Sequence, residues 1–190
     1  GAEHYTASVN GTGINIARII PTSPLTQTNI ALQTTGTYDK QAPKSTLPLR
    51  GTVTGTATDI EINAYTYKRL ALNGSYSPNQ YEGSATLDDP NGSIILDATY
   101  TRSGRVPSYQ LKVKADSLNL HAMNLISIHQ DKSFSFKMNS DIHGHSLNHL
   151  TGKVSIDSLT LHDPEGDYLV RQIALYSSDP RQKALSLQSD

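Results

Sequence analysis

The strongest constraint on this chain is the spacing of its apolar residues over positions 147–187, LNHLTGKVSIDSLTLHDPEGDYLVRQIALYSSDPRQKALSL. They fall on alternate positions in pairs: Val154 with Ile156, Leu159 with Leu161, Tyr168 with Val170, Ile173 with Leu175, and Leu185 with Leu187. Lys, Ser, Asp, Thr, Arg and Gln stand between them. A period of two gives a pleated strand one greasy face and one wet face. The runs are broken at DPEGD and SDPR, as turns break strands.

The same device recurs upstream. Residues 1–25 are weakly patterned, with a strand around Ile14, Ile16, Ile19 and Ile20 before PTSP, and are expected to be weakly structured or an edge strand. From Thr26 the pattern sharpens through Ile30 and Leu32, then Leu49, Val53 and Ala57, then Ile60 and Ile62. Tyr65 and Tyr67 break the phase and Leu70 and Leu72 restore it, which requires a bulge or a new strand. DDPNG, ending in Asn91-Gly92, is the firmest hairpin signal, because Asn-Gly supplies positive φ at a tip. Ile94, Leu96, Leu111 and Val113 follow in antiparallel succession, and Phe134, Phe136 and Met138 resume the alternation later. Between them, Leu118, Ala122, Leu125 and Ile126 are spaced by three and four, which predicts one short helix over residues 121–128; Leu118 and Leu120 fit a strand equally well. Turns at intervals of about 8–12 residues mark an all-β sheet, sandwich or barrel.

Composition narrows this. The hydrophobic fraction is 36%, with no Trp, two Phe and ten Tyr, which suits thin, half-wet sheets better than a thick interior. A formal charge of −1 gives no reason to expect a nucleic-acid partner. Cysteine is absent, so no disulfide framework exists. No run approaches the roughly 18 apolar residues of a helical membrane span.

The residue types of catalysis do not converge. His143, His145 and His149 form HGHSLNH, whose Gly and Asn mark a polar corner better than a metal shell. Asp88 and Asp89, and Asp163 with Glu165 and Asp167, sit in Pro/Gly turns where Asp caps the backbone. There is no phosphate loop, no GxSxG elbow and no Cys nucleophile, so no catalytic residue, cofactor or metal is assigned. Tyr65, Tyr67, Tyr76, Tyr81, Tyr100 and Tyr109 concentrate in the middle third; sheet packing explains them more simply than a sugar-stacking platform.

With the strands placed, the order of motifs is informative. LNGSY, a YEG strand, the DPNG hairpin and PSYQLKVKADSLNL follow one another, and GKVSIDSL, YLVRQIALYS and ALSLQSD close the chain. This succession, over roughly residues 26–190, resembles the repeated β segments of TamB proteins of the AsmA-like superfamily in their Bacteroidota-type form. Each motif alone is a turn-and-strand pattern of low specificity. The resemblance implies a β-taco, a folded-over antiparallel sheet with an apolar groove, crossing the periplasm from an inner-membrane anchor. It also implies phospholipid transport between membranes and, with an outer-membrane partner of the Omp85 class, outer-membrane protein assembly and secretion. Anchor and partner-binding regions would lie outside these residues, so the chain is expected to be a segment of a longer protein.

The expectation is therefore an all-β chain: residues 1–25 as above, and residues 26–190 as one elongated folded-over sheet with one short helix. Leu49, Val53, Ile60, Ile62, Leu70, Leu72, Leu87, Ile94, Leu96, Leu111, Val113, Val154, Ile156, Val170 and Ile173 would line the groove and shield phospholipid acyl chains. The alternative is a closed β-sandwich, an adhesin-like module with the same residues as a filled core and Tyr-rich loops meeting glycan or protein.

Overall fold

The computed structural model describes residues 1–18, 20–42, 48–102, 106–127, 132–144, 150–179 and 182–188. Eleven strands form one antiparallel sheet in which spatial order is sequence order. They are β1 (Ala2–Asn15), β2 (Leu25–Asp39), β3 (Leu49–Ile62), β4 (Tyr65–Ser77), β5 (Gln80–Asp89), β6 (Gly92–Thr101), β7 (Ser108–Leu118), β8 (Ser133–His143), β9 (Thr151–Asp163), β10 (Gly166–Asp179) and β11 (Gln182–Gln188). The chain is all-β, as its period of two requires, and the sheet is not closed into a barrel. All described strands belong to this single sheet, and its buried apolar residues are few among those described, so a filled sandwich core is not what forms. Residues 2–15 are its edge strand, longer than the weak patterning there suggested, and Ile16 leaves the strand in a single 3-10 turn, Ile16–Arg18.

Short polar turns join the strands. Asp89-Pro-Asn-Gly92 and Asp163-Pro-Glu-Gly166 are built alike. In each, the Asp carboxylate accepts the N–H two residues on, at 2.9 Å. Positive φ falls on the glycine that re-enters the strand, Gly92 at 129° and Gly166 at 149°, and not on Asn91. Pro90 and Pro164 account for this, because proline fixes a negative φ at the first loop position.

A seam of irregularity crosses the sheet. In β1, Thr12 and Gly13 together oppose Asn29 of β2, and Gly13 has φ 62°. Asn29 lies beside Thr58, and the next residue of β3, Asp59, has φ 49°. Thr58 continues to Arg69, Asp88, Ser93 and Asp116 on successive strands. There Asp116 and Ser117 oppose Ser135 alone, with Ser117 at φ 53°. Two strands on, Ser158 has φ 54°, and β8 and β9 slip by one residue between Ser135 and Lys137. Each bulge adds a residue and so reverses the alternation. That is why Val154 and Ile156 are followed by Leu159 and Leu161, and why Ala57 and Ile60, three apart, both belong to one apolar cluster.

The β5–β6 hairpin ends at the seam, leaving a notch beyond it between β4 and β7. The residues expected to be helical fill this notch as a single turn. Met123 N–H bonds Asn119 O at 3.0 Å, Leu125 N–H bonds Leu120 O at 2.8 Å, and Asn124 at φ 57° ends the turn. Its spacing of three and four reflects this turn; Ile128 lies outside the described residues. Asn119 N–H holds the hairpin at Asn91 O (2.9 Å), and Asn124 Nδ2 donates to Asn63 O at the β3–β4 turn (3.2 Å). Met123, 1% exposed, packs with Ile60, Tyr67, Ala115 and Leu118. This is the one place where the described chain builds a core of several buried apolar residues.

A non-glycine residue in the left-handed region costs about 1–2 kcal/mol. Ser158→Gly should therefore raise stability by about 0.5–1 kcal/mol, and Ser158→Val lower it by about 1–2 kcal/mol. Urea unfolding midpoints report both, and equal midpoints would remove strain from the account of the seam.

Candidate functional site: the apolar face and its tyrosine rim

Between the seam and the far strand ends, the register stacks residues into rows that cross the sheet. Directly opposed residues share a face, and so do residues two apart on one strand. One row runs Val9, Leu32, Gly55, Leu72, Ala85, Leu96, Val113, Met138, Ile156, Ile173. The row nearer the seam runs Ile30, Ala57, Leu70, Leu87, Ile94, Ala115, Phe136. The row farther out holds Val53, Gly74, Gly83, Ala98, Leu111, Ser140, Val154 and Leu175. Leu49 stands four residues beyond Val53 on the same face. Past the seam, Ile60 and Ile62 join the cluster with Leu70, Leu87 and Ile94, and Val170 opposes Leu159. The residues expected to line a groove thus share one continuous face.

The intervening rows carry the opposite character. Gln33, Thr54, Asn73, Ser84, Asp97, Lys112, Asn139 and Ser155 form one of them. The apolar rows are half-buried for the most part, with Leu32, Leu72, Leu96, Val113, Ile156 and Ile173 all partly open. Away from the cluster around Met123, the apolar residues of these rows are at most partly buried.

Sequence reasoning found the tyrosines without finding their order. Tyr5, Gly36, Gly51, Tyr76, Tyr81, Tyr100, Tyr109 and Ile142 make a single row at the far margin of the apolar face. Ring centroids of Tyr81 and Tyr100 lie 5.5 Å apart and those of Tyr100 and Tyr109 5.2 Å apart, both tilted. Tyr5 and Tyr76 reach toward each other over Gly36 and Gly51 and join hydroxyl to hydroxyl, and Thr34 Oγ1 lies 2.6 Å from Tyr76 OH. A side chain at Gly51 would meet the Tyr76 hydroxyl at 2.8 Å and collide with Thr35 O. The signal was available as one Tyr or Gly near the same end of each strand from β1 to β7.

Tyr65 and Tyr67 lie elsewhere, in edge-to-face contact at 4.7 Å within the notch cluster. Tyr65 OH donates to Asp89 Oδ1 and accepts from Asn91 Nδ2 (2.8 Å), while Asp89 Oδ2 accepts from Lys68 N–H (3.1 Å). Asp89 is a buried turn cap that ties the hairpin to β4. Burial first, then the Asp89 carboxylate, pushes the hydroxyls of Tyr65 and Tyr67 above the usual phenol range.

Several of the remaining polar groups have structural partners, whereas Ser140 Oγ is buried without one among the described residues. His143 Nε2 lies 3.3 Å from Asp141 Oδ1, and His145 and His149 fall outside the described residues. Among the described residues no cluster fit for a metal occurs. Ser135, His162 and Asp167 fall in hydrolase order, with Ser135 Oγ 3.5 Å from His162 Nε2 and His162 Nδ1 2.9 Å from Asp167 Oδ1. The serine is already engaged, however: it accepts from the bulged Ser117 N–H at 2.9 Å, and the Asp116 carboxylate at 3.3 Å competes for its proton. It secures the seam. A comparison with protein families, curated proteins and solved structures finds no match for this chain.

Tyr65→Phe leaves Asp89 short of one donor and should cost about 1–2 kcal/mol in urea unfolding at neutral pH. A phenol with a raised folded pKa contributes stability that is present below its ordinary value of 10.0 and lost as pH rises through the folded value. The difference between wild type and variant should therefore narrow above pH 10, and a constant difference would refute this role for Tyr65.

Proposed function

We propose that this chain is a non-enzymatic segment of a lipid conduit, in which phospholipid acyl chains lie against the apolar face. The observation that carries the reading is the continuous apolar face on a single sheet, only half-buried among the described residues. A monomeric soluble protein rarely exposes more than a few hundred Å² of contiguous apolar surface unless something binds there. Each buried methylene contributes about 0.8 kcal/mol, so about a dozen would retain a chain firmly. Contacts of this kind are non-directional, so they allow sliding along the rows.

The resemblance to TamB segments supports the wider setting: a periplasmic portion of an inner-membrane-anchored envelope protein that bridges toward the outer membrane. An Omp85-class partner and a role in outer-membrane protein assembly and secretion belong to that setting, through regions outside these residues. No helix among the described residues is long and apolar enough to cross a membrane.

Organic extracts of the purified protein should contain phospholipid by mass spectrometry. Leu96→Asp places a carboxylate in the middle row, where a charge facing hydrocarbon costs about 2.5–3.5 kcal/mol. The variant should retain well under a tenth of the lipid with an unchanged far-UV circular dichroism spectrum. Lipid-free wild-type extracts together with no uptake of labelled phospholipid would sink the reading.

A further inference from the structure

One cleft stands apart from the apolar face by its charge. At the β4–β5 turn, Arg50, Ser77, Pro78, Asn79, Gln80, Thr101 and Arg102 line a space of about 360 Å³. Two arginines, two hydroxyl residues and two amide residues line it, and among the described residues no carboxylate does. The ion pairs of Lys40 with Glu3, Lys132 with Asp163, His143 with Asp141 and His162 with Asp167 engage neither arginine. Glu82, two residues inward from Gln80, is held by the Gln80 amide at 2.5 Å. Arg102 N–H bonds Asn79 O at 2.8 Å, which fixes the two turns against each other.

We propose that this cleft is a phosphate site that takes the headgroup of a phospholipid whose chains lie on the apolar face. The assignment rests on the lipid reading above and adds to it a place and a chemistry for the headgroup. Guanidinium forks match phosphate oxygens in pairs, which an ammonium does not. The placement agrees with the order of an amphiphile. Arg50 opposes Thr37, one residue past the row of Gly36, Gly51, Tyr76 and Tyr81. That position faces the polar side, and the cleft lies at the strand ends where the chain turns at Pro78 and Asn79, next to the tyrosine row. Tyrosine is the residue that suits such a boundary, with an apolar ring and a wet hydroxyl. From the tyrosine row to the row of Leu70 and Leu87 is six residues of strand, about 20 Å of apolar depth. One leaflet of a bilayer core is about 15 Å deep, so an acyl chain fits below a headgroup held at the rim.

The test is the double variant Arg50→Gln with Arg102→Gln, loaded in parallel with phosphatidylglycerol and with diacylglycerol of the same chains. Both arginines are exposed and outside the notch cluster, and circular dichroism checks the sheet. The expected result is about a tenfold loss of phosphatidylglycerol retention with diacylglycerol retention unchanged. Equal loss of both lipids, or loss of neither, overturns the site while leaving the apolar-face reading standing. Retention of neither lipid by wild type is the failure of that reading, and the headgroup site falls with it. Titration with inorganic phosphate separates the sources: arginine-dependent phosphate binding without any change in phosphatidylglycerol retention makes this a free-phosphate site and overturns the headgroup assignment.

Discussion

Every strand that crosses the seam must keep its apolar side chains on one face while its backbone bends. Alternation alone cannot do this, because a bend without an extra residue leaves the pleat unchanged and a slip of one residue moves every side chain to the other face. The chain meets the constraint with residues in the left-handed region at Gly13, Asp59, Ser117 and Ser158, set in register across the sheet. The surrounding polar groups serve these positions. Asn29 Oδ1 accepts the Gly13 N–H at 2.7 Å, and Ser135 Oγ accepts the Ser117 N–H. What looks like a row of minor irregularities is the device that makes one continuous apolar face possible.

The core follows from the same line. Because β5 and β6 stop at the seam, the wall beyond it is interrupted, and the Met123 turn closes the gap from β7 across to the β3–β4 turn. Burial is concentrated there, in Ile60, Tyr67, Ala115, Leu118 and Met123. The rest of the sheet is held by its ladders of backbone hydrogen bonds and by cross-strand pairs, each modest. A protein organised this way is firm at the notch and thin over the apolar rows.

The period of two made the strands legible, and with them the membership of the apolar face from Leu49 to Ile173. The change of phase at Tyr65 and Tyr67 was visible too, but not the seam that crosses the strands, since alignment is a property of register between strands distant in sequence. The helix expected over residues 121–128 shows the limit of spacing as a signal. Leu118, Met123 and Leu125 are apolar because they meet a notch, and one turn with Asn124 at positive φ satisfies that spacing as well as a helix does. The tyrosines were legible as a composition bias. Their row was hidden, because Gly36 and Gly51 interrupt it in sequence terms while completing it in space: the rings of Tyr5 and Tyr76 need room that only glycine leaves.

The consequence for function lies in what a single sheet does with a half-buried apolar side. In a sandwich the second sheet covers that side during folding, and the burial stabilises the fold. Here the described chain covers only the part near the seam, so the outer rows retain a transfer free energy of about 25 cal/mol per Å² that folding does not use. A ligand that binds only the folded form then adds its binding free energy to stability by mass action. Its chemistry is bounded by the rows themselves: side chains that make no directional bonds through the middle, phenols along one margin, and a bulged seam along the other. A sugar or a peptide brings polar groups that those middle rows would leave unpaired, at a cost of about 1–3 kcal/mol each. A hydrocarbon chain brings none.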